Sequence, residues 1–322
     1  MAQQEKIKEI TERLEKGIED LFESENYKNY LATMSKFTSY SLNNTLLIAM
    51  QKADATTVAG YTTWKSLGRQ VKKGEKAIHI LAPILYKKKD GNKGEEDNEI
   101  SARGDKPFNE ETEKILVGFK VVNVFDISST EGETLPEITY RLDGSVKGYE
   151  DLMKAIEEFS LVPVVFQSVE GSANGYYDLT NKFIAIEKDM SQEMHIKTGI
   201  HELTHSILHD RDIETEKDSK VDIETKEVQA ESVAFTVCSY FGIDTSNYSF
   251  GYISGWSSGK NLKELKESME VIRKTSQIII TGINEKLDGM RLSRQKGMEI
   301  SENKHTDFPK QEKSLHRKSM KH

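Results

Sequence analysis

Apolar residues recur at helical spacing near the start of the chain. Ile7, Ile10, Leu14, Ile18, Leu21 and Phe22 form one series, and Leu31, Met34, Phe37, Leu42 and Met50 form a second. The pattern predicts helix over roughly the first sixty residues. From Ala77 to Tyr86 the sequence AIHILAPILY reads as a strand interrupted by Pro83, and ILVGFKVVNVF, Ile115 to Phe125, reads as another. Between them, Lys87 to Lys114 is charged, contains glycine and is almost free of large apolar groups. Such a stretch cannot bury enough surface to order itself, so a mobile excursion between two strands is expected.

Periodicity stops between Leu135 and Ser145 and then resumes. Tyr149 to Phe159 reads as helix and Val162 to Phe166 as a short strand. GYYDLTNKFIAI, Gly175 to Ile186, reads as a hairpin turning near Thr180-Asn181. A helix is predicted from Gln192 to His209, then an acidic loop from Asp210 to Glu227. A helix ending near Phe241-Gly242 follows, and an amphipathic helix spans Asn261 to Leu287. The tail from Arg291 to His322 is basic and poor in apolar residues, and is expected to be disordered. No internal repeat is evident. Helices and strands are segregated, which predicts an α+β fold in two domains, residues 1–140 and 145–290, followed by the tail at 291–322.

The length of 322 residues suits two domains. A net charge of −8 gives the molecule no overall attraction to nucleic acid. The single cysteine, Cys238, excludes an intramolecular disulfide and a cysteine-based zinc cluster, and its apolar neighbours predict a buried thiol. The first residues lack the apolar core of a signal peptide, and no apolar run reaches the roughly 20 residues needed to span a bilayer. A cytoplasmic protein with no membrane partner is expected.

Within the helix predicted from Gln192 stands His201-Glu202-Leu203-Thr204-His205. Residues four apart share a helix face, so both histidines can offer a ring nitrogen to one zinc ion. Glu202 would lie beside the open coordination position and act as the proton carrier. Zinc at a catalytic site needs a third protein ligand. Glu227 and Glu231, four apart in EVQAESVAF, share a face. Glu227 is the favoured ligand, with Glu231 orienting a histidine ring, and the reverse assignment remains open. His209 is a further candidate, either as ligand or behind one. Tyr176 and Tyr177 could donate to an oxyanion or simply pack on a sheet.

The local charge differs sharply from the average. Between Tyr61 and Lys89, Lys65, Arg69, Lys72, Lys73, Lys76, Lys87, Lys88 and Lys89 face the single acid Glu75. Tyr61, Trp64 and Tyr86 interleave with these charges, and Tyr40 and Asn44 lie upstream. Cations with exposed rings suit single-stranded nucleic acid, because bases stack while the charges follow the phosphates. The alternative is a solvated charged face with Trp64 in the core and the asparagines capping a helix or turn.

Residues 37–83, including Trp-x-x-Leu-Gly-Arg-x-Val-Lys-Lys-Gly-Glu-Lys, resemble the N-terminal domain of the ArdC antirestriction family of conjugative elements, as does VVNVFDISSTEGETLP at 121–136. GYYDLTNKFIAI, HELTHSILH and EVQAESVAF are similar to the accompanying zincin-like domain and to ImmA/IrrE-type peptidases. The resemblance implies a domain that binds single-stranded DNA through Tyr40, Asn44, Trp64, Lys65, Arg69, Lys72, Lys73 and Lys76, joined to a zinc metallopeptidase. It implies His201, His205 and Glu227 as ligands and Glu202 as acid-base. SILHD follows the ImmA/IrrE pattern, and Gln229 stands where relatives often have an acid. The expected partners are single-stranded DNA and an unidentified protein substrate. A non-proteolytic DNA-binding protein with a structural zinc, or a protease acting on a transcriptional repressor, are the competing readings.

Overall fold

The computed structural model describes residues 2–87, 114–135, 146–210, 221–244 and 250–306. The expected excursion at 88–113, most of the boundary at 136–145, the loop at 211–220 and the last part of the tail at 307–322 lie outside the described residues.

The chain opens with three helices, α1 (Ala2–Glu19), α2 (Ser24–Lys36) and α3 (Leu42–Gln51). Their apolar stripes, from Ile10 and Leu14 through Leu31 and Met34 to Leu46 and Ile48, are buried. Ser41 caps α3 by accepting from the Asn44 amide, which satisfies one of the free donors at a helix start. Short elements follow: β1 (Val58–Ala59), α4 (Tyr61–Ser66) and β2 (Arg69–Val71). The two predicted strands are β3 (Ile78–Lys87) and β4 (Lys114–Asp126), paired antiparallel from Ile78 opposite Val124 to Lys87 opposite Lys114. The sheet order is β1-β4-β3, so β3 lies at an edge. An edge strand needs ladder hydrogen bonds on one side only, and Pro83 therefore does not interrupt it. β5 (Thr130–Gly132) pairs with β2.

The second half begins with α5 (Val146–Phe159) and a three-stranded sheet of β6 (Val164–Gln167), β7 (Gly175–Asp178) and β8 (Phe183–Glu187). The order is β6-β8-β7, with β6 parallel and β7 antiparallel to the central β8. Then come α6 (Gln192–Leu208), α7 (Ile223–Phe241), α8 (Ile253–Ser258) and α9 (Leu262–Thr306). Sheets and helices are segregated, and the fold is α+β. The expected end of the last helix at Leu287 is corrected: α9 continues to Thr306, through the first part of the segment assigned to a disordered tail. That stretch contains no proline, and its Arg, Lys, Glu, Met and Leu residues are good helix formers.

The N-terminal helices pack directly on the second half. α2 lies against α7, where the Tyr27 hydroxyl and Ser232 Oγ are 2.9 Å apart in a buried hydrogen bond. The Tyr27 ring meets Phe250 edge-on at 5.2 Å, and Phe22 meets Trp256 at 5.7 Å. One apolar cluster runs continuously from Ile10 to Leu287. α7, which bears the acidic pair, is thus held from one side by α2 and from the others by α6 and α9. Among the described residues no helix is long and apolar enough to cross a membrane.

Candidate metal centre

α6 starts at Ser191, whose hydroxyl accepts from the Met194 amide. Its apolar residues Ile196, Ile200 and Leu203 are buried, and α6 packs on α5, β7 and β8. This orientation leaves His201 and His205 directed at α7. That helix starts at Asp222, which accepts from the Thr225 amide at 2.6 Å, and ends at Gly242 in the left-handed conformation (φ 76°) that glycine tolerates. The two capped helices place three ligand atoms within 4.8 Å of one another. His201 Nε2 and His205 Nε2 are 3.1 Å apart, and each lies 3.4 Å from a carboxylate oxygen of Glu227.

The other ring nitrogens are already engaged. His201 Nδ1 faces Glu231 at 3.3 Å, and His205 Nδ1 faces His209 Nδ1 at 2.8 Å. The converging His-His-Glu donor set fits a divalent metal ion. Glu231 sits behind His201, and His209 lies behind His205, away from the convergence point.

The electrostatics follow from this packing. Burial lowers the affinity of His201 for a proton, but the Glu227 and Glu231 carboxylates outweigh it and raise its pKa to about 10. The same histidines hold the Glu227 carboxyl well below the usual range. Burial pushes Glu202 upward, against the opposing pull of His201 and His205 and of the Tyr177 amide. Burial pushes His209 down to about 4, so it is neutral. Glu202 is 8% exposed and opens onto a cleft of about 320 Å³ lined also by Asn174, Gly175, Met194, Lys197 and Glu231. Gly175 allows β7 to approach α6, since a Cβ there would lie 2.6 Å from the Ala185 carbonyl oxygen and 2.6 Å from Thr198 Cγ2.

Of the two candidate oxyanion donors, Tyr177 gives its hydroxyl proton to Asp210, and the Tyr176 hydroxyl accepts from Gln167 at 3.0 Å. Pattern reasoning missed Lys197 and Met194, which α6 carries on the cleft side of His201. It also missed Tyr252, whose hydroxyl is held above its ordinary value by burial and by the fields of Glu231 and Glu227. The spacing of 194, 197, 198 and 201 on one helix could have revealed the first two; nothing local marks Tyr252.

The N-terminal candidates divide. Trp64 is fully buried and its indole N–H donates to the Phe125 carbonyl at 2.8 Å. Tyr40 is buried and donates to the Val58 carbonyl. Asn44 is buried and clamps α3 to β3, donating to the Leu81 carbonyl and accepting from the Leu81 amide, both at 2.9 Å. The side chains of these three candidates are taken up by the core. Arg69 binds Thr130 and the carbonyls of Gly132 and Glu133, stapling β2 to β5. Lys72 is exposed and donates to the Ser128 carbonyl at 3.0 Å. Lys65, Lys73 and Lys76 are exposed, as is the ring of Tyr61.

Residues 1–125 match the family model described as the N-terminal domain of anti-restriction factor ArdC. Residues 161–272 match the peptidase M78 model, described as the IrrE N-terminal-like domain. The two matched segments follow one another along the chain, the ArdC-type N-terminal domain first and the M78-like domain second. The chain is 26% identical over 326 residues to an uncharacterized protein of Bacillus anthracis, an alignment that covers 92% of this chain. It covers 54% of the relative, so the chain spans about half the length of the curated protein it matches. Crystal structures of the antirestriction ArdC protein from the R388 plasmid are also similar. The metal-free one has 19% identity and a TM-score of 0.46, covering 78% of this chain and 86% of that one. The Mn(II)-bound one has 18% identity and a TM-score of 0.46, with 77% and 85% covered.

Proposed function

We propose that this chain is a zinc-dependent peptidase joined to a single-stranded-DNA-binding N-terminal part, acting in antirestriction on a mobile element. The observation that carries the peptidase reading is the convergence of His201 Nε2, His205 Nε2 and a Glu227 oxygen beside the buried Glu202 carboxylate. His201, His205 and Glu227 would hold the ion, which supplies Lewis-acid polarisation of a peptide carbonyl and a more acidic water. Glu202, with its proton affinity raised by burial, takes the proton from the attacking water. It later delivers that proton to the leaving amine. The Tyr177 amide, donating to Glu202, keeps the carboxylate turned toward the cleft.

For DNA, the burial of Trp64, Tyr40 and Asn44 shifts the surface to Lys65, Lys72, Lys73 and Lys76, with Tyr61 as the exposed ring. Four lysines with a single exposed ring support phosphate contacts more than base contacts, so weak sequence preference is expected.

The two halves are tested separately. Glu202→Gln should retain zinc and lose cleavage of any protein substrate; cleavage at the wild-type rate by this variant would refute the acid-base role. If protection of incoming DNA persists in Glu202→Gln, antirestriction does not depend on proteolysis. Lys72→Ala with Lys73→Ala should weaken binding of an oligonucleotide and flatten its salt dependence. An unchanged slope would place the phosphates elsewhere.

A further inference from the structure

Behind His205, on the side away from the convergence point, a line of buried polar side chains crosses three helices. His205 Nδ1 on α6 and Nδ1 of His209, the residue that caps the end of α6, are 2.8 Å apart. His209 Nε2 lies 3.1 Å from Gln229 Oε1 on α7, and Gln229 Nε2 donates to Ser268 Oγ on α9 at 3.1 Å. His209, Gln229 and Ser268 are all buried, so no solvent can substitute for a missing partner.

Each hydrogen bond in this line fixes the next. The Gln229 amide nitrogen donates to Ser268 Oγ, and its oxygen faces His209. An oxygen there can only accept, so His209 carries its proton on Nε2 and leaves Nδ1 as a lone pair. That lone pair can only accept, so His205 must carry its proton on Nδ1. The remaining nitrogen of His205, Nε2, is then an unprotonated donor facing Glu227 and His201. Reversing the amide would reverse every step and put a proton on His205 Nε2, where a ligand needs a lone pair.

We propose that His209, Gln229 and Ser268 are positioning residues, a hydrogen-bond relay that locks His205 in its Nδ1–H tautomer and aims its Nε2 lone pair into the metal centre. The inference rests on the reading of His205 as a ligand. A carboxylate at position 229, which only accepts, would hold the relay in the same sense. Glu231 does the equivalent for His201 by a direct contact, so the two histidines reach the same tautomer by different routes.

The test uses the full chain, with Zn(II) affinity measured by competition against a chromophoric chelator and the histidine tautomers read by nitrogen-15 NMR on metal-free protein. Gln229→Met, nearly isosteric but unable to accept, should weaken Zn(II) binding by about tenfold or more, within the range seen for partners behind metal ligands. It should also give His205 a mixture of tautomers. Gln229→Glu should stay within about threefold of wild type and keep the Nδ1–H tautomer, a rescue that packing alone would not produce. Should Gln229→Met not fold, Ser268→Ala frees the Gln229 amide to turn, and its tautomer mixture is read in the same spectrum. Wild-type affinity and an unmixed tautomer in Gln229→Met, or a Gln229→Glu variant as weak as Gln229→Met, would overturn the relay. His205→Ala separates the two levels. If that variant binds Zn(II) like wild type, the ligand assignment fails, whereas the tautomer spectrum still decides the relay.

Discussion

Gly175 offers a sharp perturbation because its surroundings are backbone and helix rather than movable side-chain ends. A Cβ at this position would sit 2.6 Å from the Ala185 carbonyl oxygen, 2.6 Å from Thr198 Cγ2 and 3.5 Å from Glu202 Cγ. Ordinary contacts begin near 3.4 Å, so Gly175→Ala forces a shift of most of an ångström. β8 is the central strand and α6 is packed on its buried face, so the edge strand β7 has to retreat. Over-packing of this kind costs about 1–3 kcal/mol. Each kcal/mol corresponds to roughly 2–4 °C in Tm for a chain of this class. The retreat also withdraws the Tyr177 amide from Glu202, so under the proposed function peptidase activity should fall further than stability while the proposed ligands on α6 and α7 retain metal. The assay is urea denaturation with metal content, run beside Gly60→Ala, where a Cβ meets nothing within 4 Å. Gly175→Ala and Gly60→Ala both lying within about 0.5 kcal/mol of wild type would refute the close approach of β7 to α6.

Three further outcomes follow from the same packing. Trp64→Phe removes the indole donor to the Phe125 carbonyl and leaves a void, and should cost about 2–3 kcal/mol by denaturant titration. Affinity of the folded fraction for an oligonucleotide should stay the same; a tenfold loss at unchanged stability would return Trp64 to the DNA surface. Asp126 is buried, yet its carboxylate is held below its ordinary value because amides of Ser128, Thr56 and Thr57 outweigh the cost of burial. Its contribution is complete above the ordinary carboxylate value of 3.8 and is lost as pH falls below it. The stability gap between wild type and Asp126→Asn should therefore be about 1.5–3 kcal/mol at neutral pH and close in acid. A gap that is constant down to acid would refute it. Tyr27→Phe and Ser232→Ala should each cost about 1 kcal/mol, and the double variant no more than either plus a few tenths. Strict additivity in that cycle would mean the two groups do not share a hydrogen bond.

The helix that carries HELTH was legible because its signal is local. HELTH inside an apolar frame marks the helix and the face that bears its two histidines, and Glu227 and Glu231 four apart mark the facing helix. The long strands were equally plain, since alternation over ten residues is hard to mistake. What was not legible has a common physical origin. Composition cannot distinguish a ring that stacks on a base from one that packs in a core, so the burial of Trp64 and Tyr40 could not be read from the local sequence. Asn44 was ambiguous for the same reason, as its partner at Leu81 lies 37 residues away. The contact of Tyr27 with Ser232 spans 205 residues and leaves no trace in either local pattern. The relay through His209, Gln229 and Ser268 was invisible for the same reason, because each member is an ordinary polar residue until three helices bring them into line. The final helix was cut short at Leu287 because its apolar stripe ends near there, while propensity alone carries the backbone to Thr306.

The most direct measurement is the zinc content of the purified chain by elemental mass spectrometry, beside His201→Ala, Glu227→Ala and Glu231→Ala. The expected result is about one zinc per wild-type chain, absent from His201→Ala and Glu227→Ala and retained, more weakly held, in Glu231→Ala. Wild-type protein that takes up no zinc when it is supplied, or a Glu227→Ala variant that holds as much as wild type, would contradict the metal centre described above.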